Sequence, residues 1–168
     1  MKQGKHIRFL VAAMCCMVFV ALLGGCVAQS AGQSTSDDQA SQNRQYMAQL
    51  NQKMGNLQSV MNDFQTAVSQ KNVVGMKAQA TAADKIIDGV KNTDATDRLS
   101  DVKNGYVDGL CTLENAMNSY VDLYSDVQNG TVDSASYQAR LQDVQSAYDQ
   151  GVSKLKAADD EVAQISNE

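Results

Sequence analysis

The chain has 168 residues but contains no proline and only one histidine, His6. Without proline, nothing in the sequence forces a helix to stop or kink, so long helices are permitted throughout. Without further histidines, the chain lacks the usual general base and any Ser/His or Cys/His pair beyond its first residues. It also has no glycine-rich phosphate loop, paired-cysteine motif or dinucleotide-binding sequence. These absences favour a helical protein with no catalytic residues.

The first 25 residues have the composition of an export signal. Lys2, Lys5 and Arg8 precede an apolar run over residues 9–23, and small residues follow it. As a helix, this run of 15 residues would span about 22 Å, less than the roughly 30 Å hydrocarbon core of a membrane. An uncleaved transmembrane helix and an ordinary secretory signal are the alternatives. The short run disfavours the first, and the lack of an Ala-x-Ala-like end disfavours the second.

The sequence Leu23-Gly24-Gly25-Cys26 directly follows the apolar run. It resembles the lipobox of bacterial lipoprotein precursors, in which Leu23, Gly25 and Cys26 match the usual pattern and Gly24 is a less common choice. The resemblance implies that a diacylglyceryl group, with fatty acids such as palmitate, is attached to Cys26. It further implies cleavage between Gly25 and Cys26 by signal peptidase II. The mature protein would then be anchored at the extracytoplasmic face of the bacterial cell membrane, or at the outer membrane of a two-membrane cell.

Cleavage after residue 25 would leave an acidic chain with 11 basic and 19 acidic residues, a net charge of −8. His6 would be removed, and Cys111 would be the only cysteine besides the lipidated Cys26, so no internal disulfide is expected. An acidic chain lacks the basic surface that nucleic-acid binding requires. Its net charge also disfavours electrostatic binding to anionic lipid, which leaves the acyl chains as the anchor. We expect no metal and no cofactor beyond the covalent diacylglyceryl group.

Two regions follow the predicted signal peptide. Residues 26–41 are small and polar and are expected to form the lipidated N-terminus and a flexible tether. Over residues 42–168, apolar residues recur three and four positions apart, which is typical of amphipathic helices. Breaks divide this region into four helices and predict an all-α, antiparallel four-helix bundle, with an extended coiled coil as the alternative. The breaks lie at residues 69–72, 92–94 and 129–130.

Residues at these breaks suit helix ends. Thr93 or Asp94 is suited to cap the start of the third helix, and Asp133 the start of the fourth. Gly130 is suited to the left-handed conformation in which helices often end. Three internal breaks favour helices that fold back on one another.

The third and fourth predicted helices share the pattern Arg-Leu-x-Asp-Val-x₃-Tyr-x₂-Gly-x₃-Leu. It places Tyr106 and Gly109 on one helix and Tyr148 and Gly151 on the other, in the same register. One interpretation is a pair of Tyr/Gly notches that bind a small ligand. The other is that two helices, related by duplication or not, solve the same packing problem.

Three further groups of residues have both a chemical and a packing interpretation. Cys111 is flanked by Leu110 and Leu113 on its predicted helix and is predicted to be a buried thiol rather than a nucleophile. Met47, Met54 and Met61 suggest a Cu(I) site, but they also lie on an apolar seam and are predicted to pack in the core. Three acidic clusters lack the glycine-containing loop of a calcium site and are predicted to be solvated. These clusters are Asp84/Asp88, Asp94/Asp97/Asp101 and Asp159/Asp160/Glu161.

The sequence therefore predicts a non-catalytic binding or interaction module of the cell envelope, held to membrane lipid through Cys26. Its partner would be an envelope protein. A small-ligand-binding domain that uses Tyr106 and Tyr148 is the alternative, and an enzyme that uses carboxylates is a third possibility. An exposed apolar patch, an enclosed tyrosine-lined cavity or carboxylates in a cleft would distinguish the three classes.

Overall fold

The structure, a computed structural model, describes residues 34–166 of the chain, with side chains from residue 38 onward. This part forms four long α-helices and no strand, which confirms the predicted all-α class. Helix α1 spans Ser34–Ser69, α2 spans Val73–Lys91, α3 spans Ser100–Asn129 and α4 spans Ser134–Ser166. A 3₁₀ turn, Asp97–Leu99, leads into α3.

The predicted signal peptide and the lipidation motif ending at Cys26 lie outside the described residues. Helix α1 begins at Ser34, eight residues before the predicted start of the bundle at residue 42. The intervening segment contains no proline, and extending an existing helix is far easier than starting a new one. None of the described helices is both long enough and apolar enough to cross a membrane.

Consecutive helices are antiparallel neighbours, since α1 packs on α2, α2 on α3 and α3 on α4. The turns 70–72 and 130–133 lie together at one end of the bundle, which we call the opposite end. There the rings of Phe64 on α1 and Tyr120 on α3 meet edge to face, with 6.1 Å between their centroids. The helices thus fold back into a bundle, as predicted, instead of forming an extended coiled coil.

At the other end, which we call the N-terminal end, the connection 92–99 from α2 to α3 also contacts α1 and α4. The Thr96 hydroxyl donates a hydrogen bond to the Asn43 side chain on α1. The Arg98 guanidinium donates to the Ile165 carbonyl near the end of α4, at 2.9 Å. The start of α1 and the end of α4 therefore lie at the same end of the molecule.

One hydrophobic core runs along the bundle. On α1, Tyr46 is only 3% exposed although it lies one position before Met47, where the predicted apolar seam begins. The seam methionines Met47, Met54 and Met61 are half-buried and pack against the edge of the core. On α2 the buried residues recur three and four positions apart, as the predicted periodicity requires: Met76, Ala80, Ala83, Ile87 and Val90.

Helices α1 and α3 end with the same hydrogen-bond pattern. The Lys71 N–H donates to the Val68 carbonyl at 3.0 Å, and the Asn72 N–H donates to the Ala67 carbonyl at 2.9 Å. This pattern needs a left-handed residue, which is Lys71 after α1, with φ of 58°, and Gly130 after α3, with φ of 68°. The role predicted for Gly130 is confirmed, whereas the sequence gives no sign that a lysine occupies the equivalent place.

Two helices begin with a side-chain cap. Asn72 Oδ1 accepts a hydrogen bond from the Gly75 N–H at 2.9 Å and caps α2. Asp133 Oδ1 accepts one from the Ser136 N–H at 2.8 Å and caps α4, as predicted. The Ser136 bonds to its carboxylate hold the pKa of Asp133 below the usual range.

The start of α3 differs from the prediction that Thr93 or Asp94 caps it. The Thr93 hydroxyl donates back to the Gly89 carbonyl at 2.7 Å and so closes α2. The chain then crosses the N-terminal end before α3 begins at Ser100. The break in apolar periodicity at residues 92–94 therefore marks the end of α2. Helix α3 starts only after the connection 92–99 has made its contact with α1.

Replacing Lys71 with glycine is expected to stabilise the fold by roughly 1 kcal/mol, because glycine has no Cβ to oppose a positive φ. Urea denaturation of the two proteins measures this difference. Gly130→Ala is the matched control at the equivalent helix end and should destabilise by a similar amount. A less stable Lys71→Gly protein would show that the lysine side chain itself stabilises this turn.

Candidate functional site

The two copies of the shared sequence pattern, one on α3 and one on α4, contact each other across the interface between these helices. A Cβ atom built at Gly109 would lie 2.8 Å from Cδ2 of Leu155. One built at Gly151 would lie 2.7 Å from Cγ of Leu113. The glycine of each copy therefore faces the leucine of the other copy, and the leucines fill the two notches. This geometry agrees with the packing interpretation of the pattern.

The two tyrosines of the pattern are buried in the core. Tyr106 is 6% exposed and Tyr148 is 8% exposed. The Tyr106 hydroxyl donates a hydrogen bond to the Asp159 carboxylate on α4. Burial raises the pKa of Tyr106 well above its usual value, and the bond to Asp159 raises that pKa further. A small molecule would reach these rings only if α3 and α4 moved apart.

Tyr46 completes a polar cluster at the N-terminal end together with Tyr106 and Asp159. Tyr46 is close enough to Tyr106 to contribute to its raised pKa. The Tyr46 hydroxyl is buried and has no hydrogen-bond partner among the described residues. Such a group costs about 1–3 kcal/mol relative to one that is hydrogen-bonded. Its position four residues before the buried Leu50 is the sequence signal that indicates a place in the core.

A second cluster lies at the opposite end. Tyr120 and Tyr124 stack with their centroids 6.4 Å apart, and Tyr120 also contacts Phe64. Burial, together with the smaller effect of nearby Tyr137 on α4, raises the pKa of Tyr120 to about 12. The three tyrosines are only half-buried, and Val127 is 44% exposed. We call Tyr120, Tyr124, Tyr137 and Val127 the aromatic patch.

Carboxyl groups meet between α2 and α3. Burial raises the pKa of Glu114, and a hydrogen bond with Asp84 raises it further. Lys91, whose ammonium group lies 3.2 Å from Asp88, opposes this shift. The predicted pair Asp84/Asp88 thus gains Glu114 from the neighbouring helix, a contact that only the tertiary fold creates.

The other proposed chemical groups remain apart. Cys111 is half-buried beside the core, so it is less enclosed than predicted. Over residues 34–166, no three His, Cys, Asp or Glu side chains converge where they could hold a metal ion. Helix packing instead places two acidic clusters at the N-terminal end, where nearly all their side chains are exposed. These are Asp94/Asp97/Asp101 and Asp159/Asp160/Glu161.

A shallow depression runs along the outer side of α4. All of its lining residues are polar and belong to this one helix, so they cannot surround a ligand. They are Gln142, Gln145, Ser146, Asp149, Gln150 and Ser153.

The predicted ligand-binding residues Tyr106, Gly109, Tyr148 and Gly151 therefore come together as one tightly packed interface. The described side chains that remain accessible are the aromatic patch, the exposed Val74 on α2 and the polar outer faces of the helices. Comparisons of the chain with protein-family models, with curated proteins and with solved structures found no match.

Gly109→Ala is expected to destabilise the protein by about 1–3 kcal/mol, because the added methyl group would overlap Leu155. The overlap includes the Leu155 backbone nitrogen, at 3.0 Å, which a side-chain rotation cannot relieve. Gly55→Ala is the matched control, since nothing lies within 4 Å of its Cβ position. That change should stabilise α1 by about 1 kcal/mol. Equal effects of the two changes in thermal denaturation would contradict the close contact.

Tyr46→Phe and Tyr106→Phe remove the same atom but should have opposite effects on the free energy of unfolding. Tyr46→Phe is expected to stabilise by about 1 kcal/mol, because it removes a buried hydroxyl without a partner. Tyr106→Phe is expected to destabilise by about 1–2 kcal/mol, because it removes a hydrogen bond to a carboxylate. Denaturation of both variants side by side tests this. A destabilised Tyr46→Phe protein would mean that the Tyr46 hydroxyl has a partner in solution.

Proposed function

We propose that the chain is a lipoprotein whose helical bundle binds a partner protein in the bacterial cell envelope. Cys26 would carry the diacylglyceryl anchor at the extracytoplasmic face of the membrane. The binding role would be non-catalytic and would depend on holding the bundle close to the membrane. The Leu-Gly-Gly-Cys motif supports the anchor, and the aromatic patch supports the binding role.

The position of α1 fits an anchored domain. Only seven residues separate Cys26 from Ser34, where α1 begins. The 36 residues of α1 extend about 54 Å at 1.5 Å per residue. The two ends of the bundle therefore lie at very different distances from the predicted anchor, with the aromatic patch at the opposite end.

The aromatic patch is the observation that carries the binding role. Tyrosine is enriched in protein interfaces because its ring gives a large contact area and its hydroxyl can still bond to water or a partner. Here Tyr120, Tyr124 and Tyr137 are half-buried and Val127 is exposed. Four accessible apolar side chains thus lie together on a chain that otherwise exposes mostly polar residues.

The two rival functions have weaker support from the described residues. A small-ligand site at Tyr106 and Tyr148 would require Leu113 and Leu155 to leave the glycine notches they occupy. An enzyme that uses carboxylates could use the Glu114 and Asp84 pair between α2 and α3, where burial and the second carboxyl raise the pKa of Glu114. Neither arrangement offers an open cleft lined by the residues concerned.

A photo-crosslinking amino acid in place of Tyr124 should form adducts with a specific envelope protein in intact cells, because Tyr124 lies in the aromatic patch. Cys26→Ala should abolish fatty-acid labelling, leave a larger precursor and remove these adducts. Gel mobility, labelling with a fatty-acid analogue and mass spectrometry of the adducts measure the three effects.

The controls use matched positions. Cys16→Ala changes a cysteine outside the Leu-Gly-Gly-Cys motif and should leave processing and adducts unchanged. The crosslinker at Gln150, on the polar side of α4, should form few adducts. Acylation that persists in Cys26→Ala would contradict the anchor. Equal adducts from the two crosslinker positions would contradict the binding role of the patch.

A further inference from the structure

The outer side of α2 carries a row of exposed lysines. We define the lysine face as Lys71, in the turn before α2, together with the exposed α2 residues Val74, Lys77, Ala78, Thr81 and Lys85. The α2 positions recur at helical spacing, so they lie on one side of the helix. Val74 is 78% exposed, far more than a valine in a structural role needs.

The lysine face is positive although the whole chain is acidic, since Asp88, the exposed carboxylate one turn after Lys85, is paired with Lys91 at 3.2 Å. The ammonium groups of Lys71, Lys77 and Lys85 have no ion pair among the described residues, in contrast to Lys154, which lies 2.9 Å from Asp108. The sequence contains no acidic residue between Asp63 and Asp84. The first turn of α2 also lacks an acidic residue. The positive end of the helix dipole therefore adds to the lysines at this end of the face.

We propose that the lysine face rests on the anionic lipid of the membrane to which the chain is anchored. Protein-binding sites usually contain aromatic or arginine anchors and are depleted in lysine, and this face has neither kind of anchor. A cluster of unpaired lysines is attracted to anionic lipid headgroups, and the exposed valine beside it can contact the lipid surface. The negative net charge of the whole chain gives no indication of this positive charge on one side of α2.

The proposal rests on the anchor proposed above, because a tether makes a weak attraction sufficient. Three lysines would not hold a free acidic protein on a membrane. A tether keeps the face at high effective concentration beside the lipid, so each lysine needs to contribute little. The seven residues between Cys26 and Ser34 can reach at most about 25 Å, which keeps the start of α1 near the surface and the lysine face within one helix length of it.

The resulting orientation leaves the rest of the molecule accessible. Helices α2 and α4 both pack on α3 and share no extensive contact with each other. With α2 on the lipid, the bundle lies lengthwise along the membrane and the polar outer side of α4 points away from it. Tyr137 on α4 and the end of α3 then remain open to a partner, which makes the two proposals compatible.

Lysine acylation with a membrane-impermeant reagent tests the orientation in the full chain, purified from membranes and reconstituted into vesicles. One set of vesicles is phosphatidylcholine, and the other is equal parts phosphatidylcholine and phosphatidylglycerol. On the anionic vesicles, labelling of Lys71, Lys77 and Lys85 should fall about threefold or more. The reference within the same molecule is Lys156 on α4, whose side chain is 72% exposed. High salt should restore the labelling.

A charge-reversal variant is the matched control. Lys77→Glu with Lys85→Glu changes exposed positions only, and it should remove the protection of Lys71 while leaving the circular dichroism spectrum unchanged. Equal labelling ratios on the two kinds of vesicle overturn the proposal. Protection by soluble polyglutamate but not by anionic vesicles also overturns it and points to an acidic protein partner. The intact mass of the same sample reports acylation of Cys26, so failure of the anchor is distinguished from failure of the lysine face.

Discussion

Helices α3 and α4 approach closely because Gly109 and Gly151 leave room for Leu155 and Leu113 on the facing helix. The other contacts across this interface depend on that approach, including the bond from Tyr106 to Asp159. Ion pairs such as Lys154 with Asp108 also cross it, but exposed pairs contribute little to stability. Helix α3 packs on both α2 and α4. It therefore fixes where α4 lies relative to the α1–α2 pair.

The fold class and much of the core could be predicted because they depend on local periodicity. The buried residues of α2, the turn at Gly130 and the cap at Asp133 follow from spacing and from the conformations that single residues prefer. The pattern shared by α3 and α4 can be seen in the sequence. Its packing interpretation agrees with the interface, where the leucine of each copy contacts the glycine of the other. The helical start of α1 at Ser34 was not visible, because polar residues without periodicity do not distinguish an extended helix from a tether.

Features that depend on distant parts of the chain could not be predicted. The meeting of Glu114 with Asp84 requires knowledge of how α2 lies on α3. The Tyr46 hydroxyl has no hydrogen-bond partner among the described residues, and this depends on which side chains surround it in the folded state. The left-handed conformation of Lys71 has no sequence signal, since glycine or asparagine is usual there. Net charge likewise says nothing about which helix faces are positive, and the lysine face emerges only once α2 is placed on the outside of the bundle.

The reciprocal contact between α3 and α4 also determines how these helices can slide along each other. The same spacing separates Gly109 from Gly151 and Leu113 from Leu155, so the two contacts are related by an approximate twofold axis. A shift of one helical turn would withdraw Leu155 from Gly109 and Leu113 from Gly151 at once. No intermediate register keeps one contact and loses the other. The alignment of the hairpin is therefore set within the helices and not by the length of the turn 130–133.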